Sequence, residues 1–277
     1  MKIANRIISL EHKPFVIAEL SANHNQSLER ALEIVKKAAE YGADAIKLQT
    51  YTADTMTFNL KSEEFMIRDE TSPWNGRHMY DLYHEAHTPW DWHEQIFNYA
   101  KELNLLAFSS PFDDTAVDFL ESLDVPAYKI ASFECIDTQL IKKVASTGKP
   151  MIISTGMASS DEIDDAVETA KINGCKDLCL LKCTSTYPAS PRYANVSSIE
   201  AMRNKYKCEV GLSDHTLGVG VACAAISYGA SIIEKHITLN SNEDGIDSSF
   251  SMNPEEFGLL VSETNKAWES KGKVHFG

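Results

Sequence analysis

The sequence lacks the features that mark membrane, secreted and disulfide-stabilised proteins. No apolar run reaches the ~18 residues of a membrane-spanning helix. The N-terminal segment MKIANRIISLEHKP also has no apolar core of the kind that a secretory signal contains. None of the six cysteines forms a C-x-x-C pair, so we expect buried, reduced thiols. Together these absences predict a cytoplasmic protein with no membrane partner.

Positive charge is also scarce. The 277 residues include 26 Lys and Arg against 40 Asp and Glu, which gives a net charge of −14. Such a surface repels nucleic acids and anionic membranes, so we expect neither as a partner. A small anionic ligand is still compatible with this charge, because it needs only a local cluster of donors. The content of 43% hydrophobic and 24% charged residues is that of a globular chain.

Short apolar runs alternate with amphipathic helical patterns along the chain. The eight runs that we interpret as strands are Phe15–Leu20, Ala45–Thr50, Leu106–Pro111, Ala127–Ser132, Met151–Gly156, Leu178–Thr184, Glu209–Asp214 and Ser231–Ile237. Near-continuous apolar strands are typical of a parallel sheet covered on both faces. Eight strands alternating with eight helices predict a single-domain (β/α)8 TIM barrel, a fold of ~250 residues. An open doubly wound sheet is less favoured, because no G-x-G-x-x-G motif follows the first strand.

Local signals mark several helix boundaries. A capping box begins at Ser159, and Asn253–Pro254 opens the last helix. Asp91 is expected to cap the helix that follows a long polar stretch, residues 51–90. Within that stretch, Tyr80–Tyr83 predicts only a short helix. Long loops after barrel strands carry specificity, so we expect 51–90 to shape the ligand pocket.

Charged side chains interrupt the apolar strands near their carboxyl ends, where the chemistry of a barrel lies. Glu19, Lys47, Lys129 and Glu234 are examples, with Lys182 as a third candidate ammonium group. Burying a lone charge costs several kcal/mol, so these groups must face one another, a ligand or a metal. Strand ends also carry the hydroxyls of Ser109, Ser110, Ser132, Ser154, Thr155, Thr184, Ser185 and Ser213. Ammonium groups with hydroxyls predict a cradle for a small, multiply anionic ligand, although a simple inward ion pair would explain any single charge.

Two histidines end adjacent predicted strands. His215 follows the seventh strand and His236 lies at the end of the eighth. Neighbouring strands lie ~5 Å apart, so one metal ion is within reach of both imidazoles. With no thiolate beside them, they suit an exchangeable divalent ion better than a closed structural zinc. The histidines expected to be structural are His12, His24, His78, His84, His87, His93 and His275.

Taken in order, the strand-end motifs resemble those of the sialic acid synthase family, which condenses phosphoenolpyruvate with an N-acylated amino sugar. The motifs are IAEL-SANHNQSLERA, GADAIKLQT, FSSPF, PAYKIASFE, KPMIISTGM, LLKCTSTYP, VGLSDHTLG and IIEKHI. The resemblance runs from about residue 3 to 268. The segments MYDLYHEAHTPWDWH and TSTYP are similar to the pseudaminic acid synthase branch of the family. Ser185 stands where N-acetylneuraminate synthases usually have Asn.

The resemblance implies a role for each matching residue. Phosphoenolpyruvate would be held by Lys47, Ser110, Lys129, Ser132, Ser154, Ser185 and Ser213. The sugar would contact Gln49, Tyr187 and Asp247. The catalytic groups would be Lys47 and the two acid–base carboxylates, Glu19 and Glu234. His215 and His236 would bind a divalent metal, Mn²⁺ with Mg²⁺ or Co²⁺ as alternatives.

The resemblance also implies the reaction and the assembly. The sugar would be 2,4-diacetamido-2,4,6-trideoxy-altrose, and the products would be pseudaminic acid and phosphate. Family members normally continue into a C-terminal antifreeze-like domain and form homodimers. We therefore expect residues 1–277 to be the catalytic barrel alone, with weak turnover until that domain is restored.

Three other functions are compatible with the same residues. The substrate could be that of an N-acetylneuraminate or legionaminate synthase. Lys182, assigned with Leu180 and Thr184 to one face of the sixth strand, could form the imine of a Schiff-base aldolase. The chain could also be a non-catalytic barrel that only binds, although the intact Glu19 and Lys47 argue against this.

Overall fold

The computed structural model describes all 277 residues and contains a closed barrel of eight parallel strands. The chain has ten strands, of which the last eight form the barrel: β1 Lys2–Ile3, β2 Arg6–Ile7, β3 Phe15–Glu19, β4 Ala45–Thr50, β5 Leu106–Pro111, β6 Tyr128–Ile130, β7 Met151–Ser154, β8 Leu178–Cys183, β9 Glu209–Ser213 and β10 Ile232–His236. The barrel order is β10-β3-β4-β5-β6-β7-β8-β9, so the last strand closes on the first. The predicted (β/α)8 barrel is confirmed, and every predicted barrel strand is correct to within two residues at each end.

Helices surround the barrel and cover its outer face. They are α1 Leu28–Glu40, α2 Ala53–Met56, α3 Met79–Ala86, α4 His93–Glu102, α5 Asp114–Ser122, α6 Thr138–Ala145, α7 Ser160–Ile172, α8 Ser198–Tyr206, α9 Gly220–Ser227 and α10 Pro254–Ser270. There are ten rather than the eight expected, because the 51–90 stretch contains both α2 and α3. The short helix predicted around Tyr80–Tyr83 is confirmed as α3. None of the helices combines the length and apolar character needed to cross a membrane.

The predicted helix starts are correct in two of three cases. The side chains of Ser159 and Asn253 each accept a hydrogen bond from a backbone N–H in the first turn, in complete capping boxes. The prediction for Asp91 is wrong, because α4 begins at His93 and the Asp91 side chain does not cap it. Asp91 lies instead within a 3₁₀ turn, Trp90–Trp92, through which the chain enters the helix.

An N-terminal hairpin, β1–β2, was not predicted. Ile3 and Ile8 are completely buried in the core. The backbone N–H of Lys2 donates to the carboxylate of Asp177 at 3.0 Å, and Asp177 immediately precedes β8. The hairpin therefore packs at the amino end of the barrel, opposite the carboxyl ends of the strands.

The barrel interior is packed tightly enough to require glycine at one strand position. A Cβ at Gly211 on β9 would lie 2.3 Å from the Ile232 carbonyl oxygen and 2.8 Å from a methyl carbon of Leu181. Since real Cβ atoms are not found so close to backbone, only glycine permits this approach of β8, β9 and β10. The six cysteines are all free thiols, as expected, and four of them are buried, whereas Cys208 and Cys223 are only partly buried.

Candidate active site

The parallel register brings polar side chains together inside the barrel, at the carboxyl ends of the strands. Glu19 is in register with Lys47 on β4 and with His236 on β10. Ser213 on β9 is in register with Glu234 on β10. Residues in register on parallel strands point to the same face, so these five side chains share the interior.

Two lysines and two glutamates form one buried charge cluster, defined by Glu19, Lys47, Lys129 and Glu234. Lys47 Nζ lies 2.8 Å from Glu19 Oε2 and 3.5 Å from Glu234 Oε1. Lys129 Nζ lies 3.9 Å from the same Glu234 oxygen. The charges balance when all four groups are ionised, so the pocket is less cationic than the three predicted ammonium groups would make it. It gains a net positive charge when one carboxylate is protonated.

The environment separates the two carboxyl groups by their pKa. Burial raises the pKa of Glu19 from 4.5 to about 7, despite the opposing attraction of Lys47. Burial also acts on Glu234, but Lys129 and Lys47 outweigh it and lower its pKa. Burial lowers the pKa of Lys129. Glu19 can therefore both give and take a proton near neutral pH, whereas Glu234 stays ionised.

Serine hydroxyls gather around Gly156 at the end of β7. Ser132 Oγ accepts from the Gly156 N–H at 3.3 Å. A Cβ at Gly156 would lie 2.2 Å from Ser185 Oγ and 2.7 Å from Ser132 Oγ, so glycine leaves this space to a ligand. The hydroxyls of Ser154 and Ser185 are buried without a hydrogen-bond partner. Buried hydroxyls are normally paired, so this cradle fits the oxygen atoms of a phosphate or carboxylate.

Not every predicted hydroxyl belongs to the cradle. Lys47 Nζ donates to Ser110 Oγ at 3.3 Å, which brings that serine to the charge cluster. Ser109 instead points to the outer face of the barrel and bonds Thr50 Oγ1 at 2.6 Å. Thr155 and Thr184 each donate to a backbone carbonyl, at 3.2 and 3.1 Å. The prediction that these last three hydroxyls bind a ligand is wrong, because the scaffold already uses them.

His215 and His236 lie side by side, with ring centroids 5.4 Å apart and planes inclined by 63°. His215 Nδ1 lies 2.9 Å from the Thr184 carbonyl oxygen, so it carries the proton and leaves Nε2 free. His236 Nδ1 is buried without a partner, and burial lowers the pKa of His236 well below its usual value. No third His, Cys, Asp or Glu completes a cage around them. The pair fits an ion that keeps several positions open to substrate or water.

An ion pair on the outer face ties together the strand ends that carry these imidazoles. Lys235 Nζ lies 2.7 Å from Asp214 Oδ2 and donates to the Thr216 carbonyl at 2.5 Å. Asp214 Oδ1 accepts from the Thr216 N–H and hydroxyl, at 2.9 and 2.8 Å. Asp214 precedes His215 and Lys235 precedes His236. This buried network therefore holds the two histidine backbones at a fixed spacing.

Aromatic rings cover the imidazole pair. The Tyr187 ring centroid lies 4.2 Å from His215 and 5.0 Å from Phe250. Phe250 in turn lies 5.2 Å from His236. Asp247 is buried nearby and accepts hydrogen bonds from the loop after β3, from Ser21 Oγ and from the Ala22 N–H at 3.2 Å.

Gln49, the remaining residue predicted to contact sugar, is in register with Ser110 on β5 and is only partly buried. The register therefore gives it the same pocket-facing direction as Lys47, two residues earlier on β4. Tyr187 lies against the His215 ring, with centroids 4.2 Å apart. Sugar contact by Gln49, Tyr187 and Asp247 stays a prediction.

Lys182 does not point into the pocket. Cys183 on β8 is in register with the interior residue Ser213, and adjacent residues on a strand point to opposite faces. Lys182 Nζ lies 2.6 Å from the Cys183 carbonyl oxygen, on the outer face. The interior face of β8 consists of Cys179, Leu181 and Cys183, so the prediction that Lys182 shares the pocket face is wrong. The Schiff-base aldolase alternative therefore has no lysine nucleophile from β8 in the pocket.

Two pocket residues were missed. Cys183 occupies the interior face of β8 that was predicted for Lys182, and its Sγ lies 4.0 Å from His215 Nδ1. Glu134 follows β6 and has a buried carboxyl oxygen without a partner. Burial raises the pKa of Glu134, while Lys129 opposes the shift. The signal for Glu134 was present in the sequence, since a carboxylate lies two residues after Ser132 in the motif PAYKIASFE.

Comparisons with known proteins show similarity along nearly the whole chain. A family model described as the NeuB family matches residues 34–276. The pseudaminic acid synthase of Campylobacter jejuni subsp. jejuni serotype O:2 is 43% identical over 272 residues, 98% of this chain and 78% of that protein. The pseudaminic acid synthase of Helicobacter pylori is 44% identical over 248 residues, 90% of this chain and 72% of that protein.

A solved structure shows the same fold along the whole chain. It is the N-acetylneuraminic acid (sialic acid) synthetase from Leptospira borgpetersenii serovar Hardjo-bovis, in complex with citrate. The two chains superpose with a TM-score of 0.89 at 31% identity, over 100% of this chain and 91% of that one.

Proposed function

Because this chain belongs to the NeuB family, we propose that it condenses phosphoenolpyruvate with 2,4-diacetamido-2,4,6-trideoxy-altrose and water, and releases pseudaminic acid and phosphate. The observation that carries this proposal is the convergence of a serine cradle, a charge cluster and an imidazole pair at one end of the barrel. The pseudaminic acid synthases at 43% and 44% identity support the choice of sugar. We place the reaction in the cytoplasm, where phosphoenolpyruvate is made and consumed.

We assign the phosphate and carboxylate of phosphoenolpyruvate to the serine cradle and the lysines. The residues are Lys47, Ser110, Lys129, Ser132, Ser154, Ser185 and Ser213. The unpartnered hydroxyls of Ser154 and Ser185 gain hydrogen bonds on binding. The ammonium groups of Lys47 and Lys129 stabilise the charge that develops on the departing phosphate.

We assign a divalent cation, Mn²⁺ first and Mg²⁺ or Co²⁺ as alternatives, to His215 and His236. Their fit rests on the unpartnered Nδ1 of His236 and on the carbonyl that orients His215. When bound, such an ion polarises the aldehyde oxygen of the open-chain sugar. The outer Asp214–Lys235 ion pair fixes the positions of the strand ends that carry the two imidazoles.

The reaction forms one carbon–carbon bond and breaks one carbon–oxygen bond. C3 of phosphoenolpyruvate bonds to the sugar's aldehyde carbon, and the aldehyde oxygen takes up a proton. Water adds to C2 and loses a proton, which balances the one taken up by the aldehyde oxygen. The tetrahedral intermediate then expels phosphate by C–O cleavage, and the proton of its C2 hydroxyl passes to the departing phosphate as the ketone forms. Glu19, whose pKa is raised to about 7, is poised for these proton transfers. Glu234, with its lowered pKa, stays ionised and orients both lysines.

Phosphate release tests the proposal. The purified chain is mixed with phosphoenolpyruvate and one sugar, either 2,4-diacetamido-2,4,6-trideoxy-altrose or N-acetylmannosamine, with Mn²⁺ or with a chelator. We expect release with the first sugar, little with the second and loss with the chelator. Faster release with N-acetylmannosamine would favour the N-acetylneuraminate synthase alternative. No release with any N-acylated sugar would contradict the proposal.

A further inference from the structure

The 51–90 insertion places the side chain of Trp74 against the aromatic rings beside the imidazole pair. Its ring centroid lies 5.5 Å from Tyr187 and 6.0 Å from Phe250. The indole Nε1 donates to the carbonyl oxygen of Ile246 at 2.8 Å. Ile246 directly precedes Asp247, so this bond fastens the insertion to the segment that follows β10.

Trp74, Tyr187 and Phe250 together form what we call the aromatic wall. The wall is continuous with the imidazole pair, because Tyr187 contacts His215 and Phe250 contacts His236 at centroid distances of 4.2 and 5.2 Å. A ligand bound beside the imidazoles therefore lies next to Tyr187 and Phe250, and Trp74 extends the same apolar surface.

The aromatic wall has few hydrogen bonds to offer. The only donor of Trp74 is used by Ile246, and Phe250 has none, which leaves the hydroxyl of Tyr187. A ligand hydroxyl against the wall would lose its hydrogen bonds to water without replacing them, which disfavours binding. A methyl group in the same place would be stabilised by burial.

We propose that Trp74 is a specificity-determining residue, and that the aromatic wall selects amino sugars with a methyl group where other sugars carry a hydroxyl. This inference rests on the proposed function, since it requires the sugar to bind beside the imidazoles. An apolar pocket lowers kcat/KM for a substrate with one added hydroxyl by only about 100-fold. We therefore expect a preference of about 10- to 100-fold for the deoxy sugar.

Two sugars that differ by one oxygen atom test the inference. They are 2,4-diacetamido-2,4,6-trideoxy-altrose and the same sugar with its C6 hydroxyl restored. The measurement is kcat/KM for phosphate release with each sugar at saturating phosphoenolpyruvate and Mn²⁺. We expect Trp74→Ala to reduce the wild-type preference to within about threefold, and Trp74→Phe to keep most of it, since apolar contact carries the discrimination.

Trp268 provides a matched control. Its Nε1 also donates to a backbone carbonyl, that of Leu10 at 2.9 Å, but it lies on α10 against the N-terminal segment. Trp268→Ala should leave the ratio of the two kcat/KM values unchanged even if it lowers Tm. A purely structural role for Trp74 would lower both values equally.

The outcomes separate this inference from the proposed function. If wild type turns over both sugars equally, or if Trp74→Ala loses rate without a change in the ratio, the inference is overturned and the proposed function stands. If wild type releases no phosphate with either sugar, the proposed function fails and the inference fails with it.

Discussion

The two faces of the barrel wall use polar side chains in opposite ways. On the outer face the groups satisfy one another: Thr50 Oγ1 bonds Ser109 and His93 at 2.6 and 2.8 Å, and Lys235 pairs with Asp214 at 2.7 Å. On the inner face, buried atoms without a partner include Glu19 Oε1, Ser154 Oγ, Ser185 Oγ, Glu234 Oε2 and His236 Nδ1. A buried, unpaired polar group costs about 1–3 kcal/mol. The outer face therefore contributes stability, and the inner face gives up stability in order to bind.

The largest effect on activity is expected at the inner lysine that contacts both carboxylates. Lys47→Met removes a positive charge from the phosphate cradle, so kcat/KM should fall by about 10²–10³-fold. The chain should still fold, because Glu19, with its pKa raised to about 7, can take up a proton and relieve the uncompensated charge. Phosphate release and a thermal melt measure the two effects. An unfolded variant, or one with wild-type kcat/KM, would contradict the claim that inner-face groups serve binding rather than stability.

The largest effect on stability is expected at the outer ion pair. Lys235→Met leaves the carboxylate of Asp214 buried and unpaired, which should lower the free energy of unfolding by about 3–5 kcal/mol. Urea denaturation measures this. The double variant Lys235→Met/Asp214→Leu removes both charges and should recover most of the loss. If the single variant were as stable as wild type, the outer pair would not be the structural support that we infer.

The raised pKa of Glu19 predicts a pH dependence of stability. Because the folded pKa of about 7 exceeds the ordinary 4.5, the folded state holds this proton more tightly than the unfolded state. The stabilisation is complete below pH 4.5 and is lost as the pH rises through 7. Relative to Glu19→Gln, which cannot titrate, wild type should lose a few kcal/mol over this range, at ~1.4 kcal/mol per pKa unit. A pH-independent difference would contradict the assignment of Glu19 as the proton carrier.

The smallest effects compare one hydroxyl from each face. Thr50→Val on the outer face leaves His93 and Ser109 without their shared partner, and should cost about 1–3 kcal/mol of unfolding free energy. Ser154→Ala on the inner face removes an atom that has no partner, so stability should be unchanged or rise by up to about 1 kcal/mol. Urea denaturation of both variants measures the difference. Equal destabilisation by the two changes would show that the faces do not differ.

The strands and the barrel could be predicted from the sequence because every strand is a nearly continuous apolar run that turns polar at its end. The same runs show why Lys182 was misassigned. Along β8 the residues alternate between faces, but apolar residues occupy both, so the strand alone does not show which set faces inward. That choice depends on the register with β9, where Cys183 meets Ser213.

Sequence patterns could not predict the aromatic wall. Trp74 is in the long insertion, more than one hundred residues from Tyr187 and Phe250, and no periodicity connects them. Their meeting depends on where the insertion folds back, and on the bond from Trp74 to Ile246. The resemblance implied a sugar contact for Tyr187, but it did not reveal the aromatic neighbours of that residue.

The most direct test of the contrast between the faces is the rise in Tm on adding saturating phosphoenolpyruvate, measured side by side for wild type, Thr50→Val and Ser154→Ala. A ligand at 100 times its Kd stabilises the folded state by ~2.7 kcal/mol. We predict that Thr50→Val melts lower but keeps the full ligand-induced rise, whereas Ser154→Ala melts like wild type and loses most of it. A full rise in Ser154→Ala, or its loss in Thr50→Val, would contradict the assignment of the inner face to binding.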